Sequence, residues 1–375
     1  MIKLSQAADG RDAMGGNFEQ ARDFFMRGVA HYQAGEFVAA EREFAAALAL
    51  VPGRASALTN LGAVRLKLGR AAEAAALLDE ALTQEPGNAE ALRHRAAALA
   101  ELGQLEAALA SIDQALQVEA AHGPAWTLRG SLLRSLGRPA EAGEAYRTAA
   151  ANGDDSALNR YFLASLGGGA APSNAPREYV EALFDGYSHD FDAHLVEVLR
   201  YRAPERLVQG LSGTRAAAGL DLGCGTGLCG PLLRPLVERL DGIDLSAKMV
   251  ARARAGGAYD EVAHGDICDY LRTTPRRYDL VVAADVFIYV GALEQVFEGV
   301  ARVMPAGGRF CFSVELAGPG QDLVLQPSLR YAHSTGYIRR LAKQSGFDIS
   351  ATSEAPIRED QGLPLPGLFA WLARH

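Results

Sequence analysis

The sequence has few cysteines, no long apolar run and no excess of positive charge. Its 375 residues include four cysteines: Cys224, Cys229, Cys268 and Cys311. None forms a Cys-x-x-Cys pair and no histidine stands at metal-ligand spacing beside them, so we expect free thiols in a cytoplasmic protein without bound metal. Without about 18 consecutive apolar residues or a basic-then-apolar leader, we expect neither a membrane span nor export. The net charge of −8 argues against a broad nucleic-acid surface.

The first part of the chain repeats with a period of 34 residues. Five positions recur at this spacing through four units: one glycine, two alanines and two large apolar residues. Their members are Gly35, Gly69, Gly103, Gly137; Ala40, Ala74, Ala108, Ala142; Ala47, Ala81, Ala115, Ala149; Phe24, Leu58, Leu92, Trp126; and Phe44, Leu78, Ile112, Tyr146. The pattern predicts helix pairs, each with a glycine in left-handed conformation ending its first helix.

This pattern resembles the tetratricopeptide repeat (TPR). Pro52 and Pro86 follow the second helix of their units, whereas Ala120 and Asp154 stand there in the last two. The resemblance implies a surface that binds a protein partner, although self-association or shielding of a neighbouring domain is an open alternative.

The composition divides the chain into four segments. We expect a flexible tail over residues 1–20, an all-α TPR solenoid with a capping helix over 21–166, and a glycine- and proline-rich linker over 167–176. Residues 177–375 alternate apolar strands with helical segments, one of them predicted over 192–208, and this alternation predicts a parallel sheet covered by helices. The last two strands follow each other without a helix, so we expect the final strand to be antiparallel.

A glycine-rich segment, Leu220-Asp221-Leu222-Gly223-Cys224-Gly225-Thr226-Gly227, follows the first strand of this second part. Glycine at every second position lets a ligand approach the backbone where a Cβ would intrude. Residues 225–230 also satisfy Gly-x-Gly-x-x-Gly, with an acidic residue at Asp244, so NAD or FAD is an alternative ligand.

Residues 177–375 resemble the class I S-adenosylmethionine (SAM) methyltransferases, an α/β Rossmann-like family with an antiparallel last strand. The acid before the glycines and three further strand ends, at Asp244, Asp266 and Asp285, carry this resemblance. It implies SAM as the cofactor, and we assign to its site Asp221, Gly223, Cys224, Gly225, Gly227, Asp244, Leu245, Met249, Gly265, Asp266, Ile267, Ala284, Asp285 and Tyr187. Structural roles remain open for three of these residues, since Asp221 could cap the turn, Asp244 a helix, and Asp266 a turn.

The segment 184–192 resembles the one that closes over SAM in methyltransferases of quinones and of malonyl carriers. This resemblance implies that Tyr187 and Phe191 cover the cofactor, whereas anchoring in the core is the alternative and His189 is expected to face solvent. The reaction centre is expected beyond strands four and five, with His333, Tyr289 and Glu315 as catalytic candidates. We expect the loop 315–333 to cover the substrate, and Arg330, Tyr331 and Arg358 to bind it.

The whole chain resembles bacterial methyltransferases with TPR repeats, which leaves three functions open. The first is methyl transfer to a small or carrier-bound metabolite, with the array binding a protein or dimerising. The second is methylation of a protein docked on the array, although an Asn/Asp-Pro-Pro-Tyr motif is absent after strand four. The third is a non-catalytic scaffold.

Overall fold

The structure, a computed structural model, describes residues 5–187, 192, 194–360 and 362–375, except the side chains of residues 5–15, 186, 187 and 194. Its contacts divide the chain into two compact units, Met1–Asn159 and Arg160–His375. Across the described helices, none combines the length and the apolar character needed to cross a membrane.

The first unit consists of helices that pair in chain order. They are α1 (Ser5–Gln33), α2 (Phe37–Leu50), α3 (Ala55–Lys67), α4 (Ala71–Gln84), α5 (Ala89–Glu101), α6 (Leu105–Val118), α7 (Gly123–Ser135) and α8 (Pro139–Ala151). The four repeating glycines, Gly35, Gly69, Gly103 and Gly137, have φ angles between 71° and 76°. Each follows the first helix of a pair, as the repeat pattern predicts, in a conformation that glycine adopts without a steric cost.

Small residues in the first helix of each pair face large ones in the second. A Cβ added at Gly62 would lie 2.8 Å from Leu78 Cγ, and one added at Gly130 would lie 2.4 Å from Tyr146 Cε1. In the third unit the buried Ala96 takes the place of the glycine, and the buried Ile112 takes the place of the large residue. The 34-residue repeat therefore encodes close helix contacts as well as turns.

The start of the first unit differs from the expected flexible tail, because α1 already begins at Ser5. Phe18 is partly exposed, and the guanidinium carbon of Arg54 lies 5.1 Å from its ring centroid. Farther along α1, Phe25 packs edge-on against Phe44 with ring centroids 5.4 Å apart. The first repeat helix thus includes residues 5–20, which the sequence analysis assigned to the tail.

The second unit alternates strands and helices. After α9 (Ala157–Ser165), which contains the division between the units, its helices are α10 (Arg177–Tyr187), α11 (Ala203–Gln209), α12 (Gly230–Leu233), α13 (Ala247–Ala255), α14 (Ile267–Thr273), α15 (Glu294–Val303) and α16 (Thr335–Gln344). Its strands are β1 (Ala216–Leu222), β2 (Val237–Asp244), β3 (Glu261–His264), β4 (Leu280–Ala283), β5 (Arg309–Leu316), β6 (Leu323–Leu325), β7 (Tyr331–His333), β8 (Phe347–Asp360) and β9 (Leu363–Arg374).

The central strands lie in the order β3-β2-β1-β4-β5, with every neighbouring pair parallel. Strand β9 pairs antiparallel with both β5 and β8. The predicted parallel sheet with an antiparallel last strand is therefore confirmed. Parallel strands place their carboxyl ends on one edge, where ligands of such sheets bind.

The segment 315–333, expected to be a loop, contains the short hairpin of β6 and β7. Glu315 pairs with Gly367 of β9 and also with Ala332 of β7, so these two strands lie on opposite edges of β5. Because β4 also lies opposite β9, β7 continues the β4 edge beyond its last residue, Ala283. Two three-residue strands are too short for an alternating pattern to reveal them.

Two further segments differ from the sequence predictions. The helix expected over 192–208 is a π-helical turn, His194–Val198, followed by α11. In the stretch expected to be a linker, Ala175 N donates to the Tyr289 carbonyl at 3.0 Å, and the Pro172 carbonyl accepts from Tyr331 Oη at 2.7 Å. These residues are therefore bound within the second unit.

The contact between Gly130 and Tyr146 can be tested by adding one methyl group. We expect Gly130→Ala to lower the free energy of unfolding by up to about 2 kcal/mol, since the overpacking cost of about 1–3 kcal/mol is offset in part by a gain in helix propensity of about 1 kcal/mol. Urea denaturation followed by far-ultraviolet circular dichroism measures the change. Gly16→Ala is the matched control, because Gly16 lies within α1 and a Cβ there meets nothing within 4 Å. Equal effects of the two substitutions would contradict the packing argument.

Candidate functional site

The turn after β1 leaves room for a ligand at one glycine and for packing at another. Gly223 and Gly225 have φ angles of 65° and 54°, where residues with a Cβ are strained. A Cβ at Gly223 would lie 2.6 Å from Val286 Cγ2, whereas one at Gly225 meets nothing within 4 Å. Gly223 thus permits contact with the loop after β4, and Gly225 faces open space.

Asp244, at the end of β2, holds this turn in place. Its Oδ2 accepts a hydrogen bond from Gly225 N and its Oδ1 one from Ser246 N, each at 2.9 Å. Burial raises the pKa of the Asp244 carboxyl, and these backbone hydrogen bonds oppose the rise. Each carboxylate oxygen has a second lone pair, so Asp244 can accept further hydrogen bonds from a ligand.

Asp266 occupies the corresponding place after β3. Its Oδ1 accepts from Cys268 N at 2.8 Å and from Asp269 N at 3.0 Å, and so caps α14. Asp266 therefore caps a helix and not the turn considered as its alternative, whereas Asp244 binds the amide of Ser246, the N-cap residue of α13. Both aspartates also line the same cavity. The sequence analysis did not predict helix α14. Its start signals are an aspartate at the N-cap, Asp266, and a second acidic residue, Asp269, in the first turn.

The cavity beside these residues has a volume of about 610 Å³, within the usual range for small-ligand pockets. One wall consists of the turn and the strand ends: Gly223, Cys224, Gly225, Thr226, Leu228, Cys229, Asp244, Leu245, Asp266, Ile267, Cys268, Ala284 and Asp285. The other wall is mostly apolar and aromatic, and includes Tyr179, Val180, Leu183, Phe184, Leu195, Tyr201, Ile288 and Tyr289. By their place in the fold, we call the first group of lining residues the polar half of the site cavity and the second group its apolar half.

Four residues assigned to the cofactor do not line this cavity: Asp221, Gly227, Met249 and Gly265. Asp221 is buried below the turn, and Tyr259 Oη donates to its Oδ2 at 2.6 Å. Burial raises the pKa of the Asp221 carboxyl to about 7. Asp221 therefore supports the turn from behind.

A network of buried ion pairs lies at the ends of β4 and β5. Arg358 donates to Asp285 Oδ2 and to Glu315 Oε1. Arg330 Nε lies 3.0 Å from the same Glu315 oxygen, and Arg330 Nη2 donates to Asp360 at 2.6 Å. The second oxygens, Asp285 Oδ1 and Glu315 Oε2, are buried and have no hydrogen-bond partner among the described residues.

Asp285 differs from the other strand-end acids in its backbone. Its φ angle is 60°, a conformation that costs a residue with a Cβ of order 1–3 kcal/mol and is frequent at functional sites. Asp285 N donates to Ser313 Oγ at 2.9 Å, which holds this conformation against β5. Burial raises the pKa of Asp285, against the opposing effect of Arg358.

The residues predicted to act on the substrate are distributed unevenly. Tyr289, Arg330 and Arg358 line the site cavity, whereas Glu315, Tyr331 and His333 do not. His333 is buried, its Nε2 donates to the Gly291 carbonyl at 2.8 Å, and burial lowers its pKa to about 4. This arrangement makes His333 a support for the loop after β4.

The proposed cover of the cofactor lies outside the described residues, since these exclude His189, Phe191 and the side chain of Tyr187. Its two flanks are described. Asp185 accepts from Ser246 Oγ at 2.5 Å, and Asp192 accepts from Thr226 Oγ1 and, at 2.7 Å, from Arg252. Both flanking aspartates therefore bind residues next to the glycine turn.

The sequence analysis missed most of the apolar half of the cavity. Tyr179, Val180, Leu183 and Phe184 lie on α10, where apolar residues three and four apart indicate one helix face. Phe184 packs edge-on against Tyr289 with ring centroids 5.5 Å apart. Tyr201 donates to the Ala284 carbonyl at 3.2 Å, and no local motif marks it.

Comparison with known families matches both units. Residues 220–312 match the family described as "Methyltransferase domain", and 25–89, 65–132 and 123–151 each match a family described as "Tetratricopeptide repeat". The chain thus carries a methyltransferase domain behind tetratricopeptide repeats. The methyltransferase family match spans the glycine turn and the ends of β2, β3 and β4.

Three curated relatives align with part of this chain. A probable S-adenosylmethionine-dependent methyltransferase from Mycolicibacterium smegmatis is 26% identical over 36% of this chain and 52% of its own length. A tRNA1(Val) (adenine(37)-N6)-methyltransferase from Proteus mirabilis is 35% identical over 19% and 31%. A malonyl-[acyl-carrier protein] O-methyltransferase from Enterobacter lignolyticus is 27% identical over 36% and 53%. The chain spans about half or less of each relative, and their named acceptors differ.

Burial of Asp221 predicts a pH dependence of stability. Its pKa is about 7 in the folded protein against an ordinary value of 3.8, so between these values the folded state binds the extra proton and stability falls as pH rises. Asp221→Asn keeps an acceptor for Tyr259 but cannot ionise. Relative to wild type, we expect this variant to gain up to about 4 kcal/mol in free energy of unfolding from pH 4 to pH 8.

Trp371 fluorescence in a Trp126→Phe background follows urea denaturation of the second unit separately, because one tryptophan lies in each unit. Asp23→Asn, at an exposed carboxylate, is the control. A difference from wild type that stays constant over this pH range would mean that Asp221 has an ordinary pKa.

Proposed function

We propose that the chain transfers a methyl group from S-adenosylmethionine to an acceptor bound in the apolar half of the site cavity. The observation that carries this proposal is the open space at Gly225 next to the carboxylates of Asp244 and Asp266. A nucleoside offers two ribose hydroxyls, for which Asp244 has free lone pairs, and an adenine ring, for which Ile267 is an apolar neighbour. These residues fit the cofactor implied by the family match.

The residues of the polar half bind and orient the cofactor. SAM, when bound, supplies a methyl group that its sulfonium has already activated. The chain then has to align the acceptor with that methyl group and to exclude water. Alignment of two reactants can supply about 7–11 kcal/mol in favourable cases. The apolar wall of Leu183, Phe184 and Ile288 supports both tasks.

A dinucleotide cofactor is less consistent with this site than SAM. Residues 225–230 satisfy the dinucleotide pattern, but an acid also follows β3, and β9 runs antiparallel. The match to a methyltransferase family points in the same direction. A non-catalytic scaffold would have no need for a cavity that joins a polar wall to an apolar one.

For the acceptor we propose a small or carrier-bound molecule in the cytoplasm. Support comes from the apolar wall of the cavity and from the malonyl-carrier methyltransferase among the relatives. Under this proposal the repeats contact a protein partner or a second copy of the chain.

Methylation of a docked protein is the second candidate, and the repeat families favour it. Cell extract incubated with purified chain and methyl-labelled SAM separates the two candidates. Our proposal expects the label in molecules that pass a small-pore filter, or in molecules released from an acyl carrier by mild base. Label that stays on protein after base treatment would favour the second candidate.

Binding of the cofactor can be measured by isothermal titration calorimetry. We expect S-adenosylhomocysteine to bind the wild type and NAD and FAD to give no heat. Asp244→Ala should weaken binding at least tenfold, because hydrogen bonds to a charged group contribute about 1.5–3 kcal/mol. Asp23→Ala, in the other unit, should bind like wild type. Heat from NAD or FAD alone would refute the proposed cofactor.

A further inference from the structure

Among the carboxylates that line the site cavity, one buried oxygen has no hydrogen-bond partner in the described part of the chain. Asp285 lines this cavity, and its side chain is nine-tenths buried. Arg358 occupies Oδ2, whereas the buried Oδ1 has no hydrogen-bond partner among the described residues. Leaving a buried charged oxygen unpaired costs free energy, so a ligand that donates a hydrogen there is favoured.

The positive charges of the cavity, in contrast, are already paired. Within the described part of the chain, three arginines line it, and each has a carboxylate partner. Arg177 pairs with Glu181, and Arg330 with Glu315 and Asp360. Arg358 pairs with Asp285 and Glu315. The carboxylates therefore already offset the positive charge of these arginines, which disfavours an anionic acceptor beside Arg330 and Arg358.

We infer that the acceptor is a neutral hydroxyl compound with an apolar body, and that Asp285 Oδ1 accepts the hydrogen of its reacting hydroxyl. This inference rests on the proposed methyl transfer. The acceptor oxygen forms a bond to the methyl carbon, the carbon–sulfur bond breaks with its electron pair left on sulfur, and the hydroxyl proton passes to Asp285 Oδ1. Arg358 is a positioning residue, because it holds Oδ2 and leaves Oδ1 without a partner.

Surrounding residues fit a ring or chain attached to that hydroxyl. Tyr289, four residues after Asp285, lines the same cavity and packs against Phe184. Tyr201 is bonded to the carbonyl of Ala284, the residue before Asp285. The charge of Asp285 also contributes to the raised pKa of both tyrosines, after the larger effect of burial. The apolar wall thus begins next to the carboxylate.

Three probes with the same ring separate the possibilities: phenol donates a hydrogen, anisole does not, and benzoate is an anion. We expect phenol to bind protein saturated with S-adenosylhomocysteine about tenfold more tightly than anisole or benzoate, measured by ligand-observed NMR titration. The preference follows from the value of a hydrogen bond to a charged group. Benzoate or anisole binding as tightly as phenol to the wild type would overturn the inference.

Asp285→Asn tests the residue itself. Arg358 has only donors, so the amide oxygen should turn to Arg358 and the amide nitrogen, a donor, should replace Oδ1. The preference for phenol over anisole should then fall to within about threefold, and benzoate should gain about tenfold. Asp322→Asn, at an exposed ion pair, is the matched control and should keep the wild-type ranking. Unchanged ranking in Asp285→Asn would contradict the role of Asp285.

The same titrations distinguish this inference from the proposed function. Absence of S-adenosylhomocysteine binding to the wild type refutes the cofactor and with it the proposed methyl transfer. Normal cofactor binding with no preference among the three probes refutes only the role of Asp285. Should Asp285→Asn fail to fold, Asp285→Glu is the alternative variant, because it keeps the negative charge and adds one methylene group. We expect phenol to remain the preferred probe of this variant.

Discussion

The site depends on the carboxylate of Asp244, which joins the turn after β1 to the start of α13. Its two oxygens bind Gly225 N and Ser246 N, and Ser246 Oγ in turn accepts from Met249 N at 3.2 Å. This chain of bonds orients the glycine turn, β2 and α13 relative to one another. Asp244 holds the left-handed backbone of Gly225 through the Gly225 amide, so the open space beside Gly225 stays available for a ligand.

Charge balance constrains the other half of the site in a different way. Arg358 and Glu315 are both at least nine-tenths buried, and burying such charges is tolerated when they are paired. Asp360 is the most exposed of its members, and Arg330 is partly exposed as well. One arginine, on β8, therefore fixes the ends of both β4 and β5. The antiparallel strand pair at the end of the chain contributes directly to the site through this residue.

Regular patterns made most of the fold predictable. The 34-residue period located all four helix pairs, because each small residue must match a large one on the facing helix, as Gly130 matches Tyr146. Strand alternation and the missing last helix gave the parallel sheet and antiparallel β9. The strands β6 and β7 escaped prediction, since each has only three residues and β7 joins the sheet through its distant pairing with β5, as of Ala332 with Glu315.

The polar half of the site was predictable for a related reason, because its residues follow consecutive strands. The apolar half was not, since Tyr201 and Phe184 reach it from elements that precede β1. Asp221 is the opposite case, because the motif assigned it to the cofactor site and it does not line the cavity. It belongs to the glycine-rich motif, yet its carboxylate is buried against Tyr259.

A sequence motif shows which residues a local backbone conformation requires. Such a residue can support the backbone from outside the cavity as well as line the cavity itself. Side chains that face a ligand need a second kind of information, namely which polar atoms the folded chain leaves without partners. On that criterion Asp285 stands apart from Asp221, Asp244 and Asp266. Asp285 has one oxygen bound to Arg358 and one buried oxygen without a partner among the described residues, and none of the other three acids has such a buried oxygen. Asp285 is therefore the strand-end acid best placed to act on a second molecule.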